Sequence, residues 1–274
     1  LSLHDALPIS KAMLQLTNFK DFDVSFLSAS EKDLVFEMGG DLYLMDLASR
    51  NYKKIDVRVI SDLSVEIPQL KDVSKSIANM TVSPDGKRVV LQARGELFNV
   101  PAKEGFTVNM TQSSGALDHS PAWSPDGKTV AYWSDQSGEY EIYLQATQGN
   151  QSPKKLTDRK KGFGYTLHWS PDSKKIAFLD EKYDISVVDV ASGQIKKAGN
   201  TYWVVGHGGA PSFPINWSPD SKYLAFTIGQ ENANQAIHIY DTASEKLTKA
   251  TSGFYEDLSP VFSKDGKYLF FQTN

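Results

Sequence analysis

Trp123-Ser124-Pro125-Asp126-Gly127-Lys128, running into the strand-like Thr129-Val130-Ala131-Tyr132, decides the architecture. Its core recurs. Ser83-Pro84-Asp85-Gly86-Lys87 precedes it, and Ser170-Pro171-Asp172-Ser173-Lys174 and Ser218-Pro219-Asp220-Ser221-Lys222 follow. Ser263-Lys264-Asp265-Gly266-Lys267 is a worn fifth copy. The leading serines lie 41, 46, 48 and 45 residues apart. A period near 45 with short strands belongs to propellers, whereas helical repeats mostly run shorter. Pro presets the φ of a tight turn, Asp bonds its own backbone, and Gly tolerates the left-handed conformation. Because two copies carry Ser in place of Gly, that position is expected to be only weakly strained.

Outward from each turn the pattern is regular. An apolar or aromatic residue comes first: Val82, Trp123, Trp169, Trp217 or Phe262. A short apolar strand comes after, as in Ile176-Ala177-Phe178 and Leu224-Ala225-Phe226, then a third such as Ile142-Tyr143-Leu144. A fourth position reads Lys154-Lys155-Leu156-Thr157 or Lys246-Leu247-Thr248. β-Branched and aromatic runs bounded by turn residues are strands. Four strands in about 45 residues make one blade of an all-β propeller. A single blade cannot bury both faces, so the Trp and Phe side chains are expected between neighbours.

The rest of the sequence excludes more than it selects. Lys and Arg number 29 against 33 Asp and Glu, a net charge of −4 with no basic block, which disfavours nucleic acid. Hydrophobic residues at 40% suffice for a packed core. Tyr268-Leu269-Phe270-Phe271 is typical of the longest apolar runs, far short of a membrane helix. Cysteine is absent, which removes disulfides and thiolate chemistry without fixing the compartment.

Ser2-Leu3-His4-Asp5-Ala6-Leu7-Pro8-Ile9 equals the translation of TCC CTA CAC GAC GCT CTT CCG ATC, the tail of a common sequencing adapter. Residues 1–10 are therefore read as an adapter artefact or a tail and left out of fold reasoning. A degenerate blade follows within 11–58, with strands at Leu34-Val35-Phe36, Asp41–Leu47 and Lys53–Val57. A connector occupies 59–70, and a propeller that ends after the second strand of a blade occupies 71–274. Leu14–Thr17 is the one segment near the start available to close that ring.

The repeat resembles that shared by the TolB family and the tricorn proteases, and it lacks the marks of WD-type blades. Gly39-Gly40-Asp41-Leu42-Tyr43, Asp72–Ile77, Ala93-Arg94-Gly95-Glu96-Leu97-Phe98 and Ser137–Glu141 are similar to bacterial tricorn-type peptidases. The likeness spans roughly residues 14–274. It implies that 11–58 is the last blade of a first propeller and 71–274 most of a second. It implies peptide substrates, downstream PDZ and serine-peptidase domains outside this segment, and a propeller that guides or sieves peptides toward them. Homo-oligomer formation and an exported or periplasmic location also follow from the resemblance. A TolB-like interaction scaffold without enzymatic activity is the alternative, and the propeller of a prolyl-oligopeptidase relative is a third.

Within the segment itself no catalytic, cofactor or metal residue is assigned. His4, His119, His168, His207 and His238 show no metal-ligand spacing. His207-Gly208-Gly209-Ala210 is similar to an esterase oxyanion loop, but no Gly-x-Ser-x-Gly elbow accompanies it. The turn aspartates Asp85, Asp126, Asp172, Asp220 and Asp265 each sit close to a Lys, which suits turn chemistry better than calcium. Asp135 and Glu139 read as a hairpin loop, Arg159-Lys160-Lys161 as a solvated turn, and Gly162-Phe163-Gly164 as no phosphate loop. The Asn-x-Ser/Thr sites at Asn79, Asn109, Asn150 and Asn216 read as chance matches.

Overall fold

The computed structural model describes residues 14–58, 72–148, 151–201 and 213–274. The adapter-like residues 1–10, the expected connector 59–70, and His207-Gly208-Gly209-Ala210 lie outside these. The chain forms two compact units, Leu1–Leu70 and Lys71–Asn274.

The first unit holds one antiparallel sheet of β1 (Val24–Ala29), β2 (Asp33–Met38), β3 (Asp41–Asp46) and β4 (Tyr52–Lys54). Val24, Phe36 and Met45 form its core. Leu16 and Phe19 pack on that cluster. Phe19 also lies 5.1 Å from the Tyr52 ring.

The second unit repeats the sheet. The first copy is β5 (Ile77–Val82), β6 (Arg88–Ala93), β7 (Glu96–Pro101) and β8 (Val108–Asn109). The next is β9 (Asp118–Trp123), β10 (Thr129–Ser134), β11 (Glu141–Ala146) and β12 (Lys154–Lys155). Then come β13 (Gly164–Trp169), β14 (Lys175–Asp180), β15 (Asp184–Asp189) and β16 (Ile195–Asn200). The fourth is β17 (Ile215–Trp217), β18 (Tyr223–Gly229), β19 (Gln235–Asp241) and β20 (Lys246–Lys249). A two-stranded sheet of β21 (Asp257–Phe262) and β22 (Leu269–Thr273) ends the series. First strands of neighbouring sheets touch, β5 to β9, β9 to β13, β13 to β17 and β17 to β21. The blades therefore converge on their first strands. The fold is an all-β propeller, open rather than closed.

The core lies between blades. Successive side chains of a strand point to opposite faces. On β10, Val130 and Tyr132 join Val90 and Leu97 of the preceding blade. Ala131 and Trp133 on the same strand join Leu167, Ile176 and Phe178 of the next. Leu224 and Phe226 on β18 repeat this with Ala177, Leu179 and Val187. Both faces are buried, which is why these second strands read as unbroken apolar runs. The expected Trp residues pack there, and two of them also bond. Trp169 Nε1 donates to Ala122 O at 3.0 Å and Trp217 Nε1 to His168 O at 2.9 Å, each in the preceding blade.

All five turns share one wiring. The Ser hydroxyl donates to Asp Oδ1 at 2.6–2.7 Å. That hydroxyl accepts the amide five residues on at 2.9–3.0 Å. Asp Oδ1 also accepts the following Lys amide at 3.0–3.2 Å. The fourth residue is left-handed in every copy: Gly86 (φ 69°), Gly127 (72°), Ser173 (60°), Ser221 (61°) and Gly266 (72°). The two Ser copies thus adopt the same left-handed backbone as the Gly copies and bear a cost that glycine does not, contrary to the sequence expectation. Their compensation is lateral. Ser173 Oγ accepts Asp126 N at 3.1 Å, and Ser221 Oγ accepts Asp172 N at 3.0 Å, each tying one blade's turn to the previous blade's.

Ser173→Ala keeps the left-handed strain and loses the lateral bond, so it should cost about 1 kcal/mol in urea unfolding. Gly127→Ser should be less destabilising than Gly127→Ala, because its hydroxyl can reach Asp85 N as Ser173 reaches Asp126. Equal losses for the two Gly127 variants would contradict the lateral bond.

The turn carboxyls also predict an acid limb. The Ser hydroxyl holds Asp85, Asp126, Asp220 and Asp265 below the usual carboxylate range. At Asp172 burial pushes upward, but the Ser170 hydroxyl and Lys174 amide outweigh it. Burial pulls His168 down to about 4. A carboxyl lowered on folding stabilises above its unfolded value, about 3.9, and loses this as pH falls through the folded value. A neutral buried His loses stability from about pH 6.5 downward, where only the unfolded state gains the proton. The urea midpoint should fall in two stages, the first reduced by His168→Gln and the second by Asp126→Asn.

Candidate functional site

Each blade has two ends. One carries the Ser-Pro-Asp turns, and the loops after the third strands bond to them, as Thr147 N does to Lys128 O at 3.0 Å. The other carries the hairpins between second and third strands together with the connectors from blade to blade. Leu117 N donates to Asp135 Oδ1 at 2.7 Å there, so Asp135 ties a connector to the next hairpin. The loop reading of Asp135–Glu139 is what the structure contains.

The most elaborate constellation at this second end surrounds Arg159, in the connector between β12 and β13. Its side chain is only 10% exposed. The guanidinium lies 5.3 Å from the Trp133 ring and 5.5 Å from the Phe178 ring. Nη2 donates to Asp180 Oδ2 at 3.0 Å and to Glu181 Oε2 at 3.4 Å. The solvated-turn reading of Arg159 is therefore wrong, while Lys160 and Lys161 are exposed. The connector is held by carboxylates on both sides. Glu141 Oε1 accepts Lys160 N at 3.0 Å and Glu141 Oε2 accepts Thr157 Oγ1 at 2.5 Å. Glu181 Oε2 accepts Phe163 N at 3.1 Å. Gly164 leaves room for the indole: a Cβ there would sit 2.0 Å from Trp133 Cζ2. Gly162-Phe163-Gly164 thus serves packing against Trp133 and Glu181. Arg159 Nη1 is buried without a partner.

Two histidines are wired to neighbours, and a third is held by burial. His238 is buried, with Nδ1 3.0 Å from Ala236 O, and burial pulls it below the ordinary imidazole range. His168 is in β13, where its carbonyl receives Trp217. His119 Nδ1 lies 3.0 Å from Ser120 Oγ, and its ring meets Tyr140 edge-on at 5.2 Å. Burial lowers this imidazole too. Ser120 has φ 51°, a strained residue beside a base. The strain belongs to the repeat, however. Phe26 (φ 51°) and Ser259 (φ 52°) hold the same place in β1 and β21, at the same register shift. It is a bulge of first strands, not an activated nucleophile. Neighbouring Asp118 is buried and bonded by the Ser113 hydroxyl.

Two of the Asn-x-Ser/Thr asparagines hold sheets together. Asn79 Nδ2 donates to Gln92 Oε1 at 2.6 Å, and Asn216 Oδ1 accepts Phe262 N from the next blade at 2.9 Å. Among the described residues no group of three or more His, Asp or Glu side chains could hold a metal ion. No helix among them is long and apolar enough to cross a membrane.

The constellation around Arg159 is an electrostatic clasp. Arg159→Ala should cost about 3 kcal/mol in urea unfolding, because it leaves Asp180 and Glu181 near each other without a cation. Arg159→Lys should recover only part of this, since a compact ammonium cannot reach both rings and both carboxylates as the guanidinium fork does. Full rescue by Lys would contradict a role for the guanidinium fork.

Comparison with known proteins agrees with this architecture. Residues 77–273 match the family model of the tricorn protease second beta propeller domain. The tricorn protease of Thermoplasma volcanium is 24% identical over 262 residues, covering 94% of this chain and 24% of the relative. A crystal structure of the tricorn protease superposes with a TM-score of 0.64 at 17% identity, covering 94% of this chain and 24% of that one. The putative TolB from Agrobacterium tumefaciens gives 0.50 at 19%, covering 90% and 79%. The chain thus spans about a quarter of the length of the tricorn relatives. A propeller of Ser-Pro-Asp blades that matches this model over residues 77–273 belongs to the tricorn protease second beta propeller domain family.

Proposed function

We propose that residues 71–274 form a non-catalytic propeller of a larger tricorn-type serine peptidase, guiding or sieving peptides toward a catalytic core elsewhere in the parent protein. On this reading β1–β4 are the last blade of a preceding propeller and 59–70 join the two. No residue here takes part in bond cleavage. The observation that carries the reading is the family match, together with a chain length near one quarter of the tricorn relatives. The exposed apolar faces add support. Met80 is 70% exposed and Val82 56% on β5, and Phe270 is 63% exposed on β22. Their counterparts in the inner blades are covered by a neighbour, so these faces suit further blades. PDZ and peptidase domains, and assembly into oligomers, belong to the same reading.

A TolB-like interaction scaffold is the second reading. It is favoured by coverage of 79% of the TolB chain, which leaves little of that protein unmatched.

Two measurements separate them. The isolated chain should hydrolyse no fluorogenic peptide and take no label from a serine-directed reagent; turnover abolished by that reagent would overturn the site assignment. In the parent protein, deleting residues 71–274 should slow degradation of a long unfolded polypeptide while leaving kcat/KM for a short peptide unchanged. If the long and short substrates respond alike, routing is wrong. A parent reading frame without any peptidase domain, and a protein partner captured by the propeller, would favour the scaffold.

A further inference from the structure

An open cleft of about 810 Å³ lies at the outer rim, between β7–β8 of one blade and β11–β12 of the next. Its size is that of a ligand site. The chemistry of its walls is unusual for this chain. The protein has 33 acidic residues and a net charge of −4, yet among the described residues no Asp or Glu lines the cleft. The one charged group among the described lining residues is Arg88. Its Nε donates to Asn99 Oδ1 at 2.5 Å, and Nη2 donates to the carbonyls of Asn99 and Phe106 at 3.1 and 3.2 Å. All three acceptors are neutral, so the guanidinium is held in place but its charge is not balanced by contact.

The opposite wall supplies an acceptor. Gln145 is buried, and its Nε2 donates to Gln151 O at 2.8 Å. That bond fixes the amide orientation and leaves Oε1 buried without a hydrogen-bond partner. A buried acceptor left bare is costly and calls for a donor. Phe106, 89% exposed, stands at the mouth as an aromatic platform. The flanking strands β8 and β12 have two residues each and present open outer edges.

We propose that this rim cleft binds an extended peptide segment carrying an acidic side chain. The carboxylate pairs with Arg88, a main-chain N–H donates to Gln145 Oε1, and an apolar neighbour rests on Phe106. A free anion would answer Arg88 but not Gln145, and a neutral sugar would answer Gln145 but not Arg88. A peptide supplies both, in the mode by which extended segments dock on sheet edges. The site lies on the rim rather than the axis and is independent of the routing role.

Fluorescence polarisation on the full chain tests it, with a labelled extended peptide bearing alternating glutamates and its glutamine counterpart. The glutamate peptide should bind about tenfold more tightly, and Arg88→Gln should erase that preference. Arg88 also supports Asn99 and Phe106, so two surface variants accompany it. Gln148→Glu and Phe106→Ala should leave the urea midpoint unchanged, the first weakening only the acidic peptide and the second weakening both. Equal affinity for the two peptides, or binding indifferent to all three variants, would overturn the proposal. So would inorganic phosphate that binds in an Arg88-dependent way while neither peptide does, since the cleft would then be a simple anion site.

Discussion

Each inner sheet of this protein is apolar on both faces, and that single constraint organises the rest. Side chains alternate along a strand, so a residue pair such as Ala131 and Trp133 must be covered by one neighbour and Val130 and Tyr132 by the other. The cohesive unit is accordingly the gap between two blades, not the blade. Further stabilising devices cross the same gap: the indole bonds of Trp169 and Trp217, the Asn216 amide, and the Arg159 clasp.

The Ser-Pro-Asp turn earns its repetition through two kinds of bond. Its internal wiring closes the hairpin between first and second strands with no help from outside. Its fourth residue then acquires a lateral role when it is Ser rather than Gly. Glycine removes the cost of the left-handed backbone, while serine accepts that cost and returns a bond to the neighbouring turn. The two solutions occur side by side in one chain.

The architecture was legible in the sequence because its signals are local. Turn, strand and turn recur within a few residues of each other, and the periodicity needs no knowledge of distant contacts. What stayed hidden depends on partners brought together only by stacking. Arg159 looks like part of a solvated basic turn until Trp133, Phe178, Asp180 and Glu181 are placed around it. Ser173 looks like relaxed tolerance of a loose position until Asp126 is seen above it. The bonds of His119 and His238 run to near neighbours in the chain, whereas the Asp135 bond to Leu117 joins a hairpin to a connector. The rim cleft had no signature at all, since Arg88 and Gln145 line it from two different blades and belong to no motif.

The outer strands differ from the inner ones in a way that reaches beyond this molecule. Most first strands have six residues, whereas the fourth shrink to two in β8 and β12 and reach six in β16. Unequal repeat lengths are thus absorbed far from the axis, where backbone pairing is least complete. Insertions and deletions accumulating over a lineage would settle on this perimeter and leave the hub unaltered. The rim is where descendants of one propeller can diverge in what they recognise while inheriting the same scaffold.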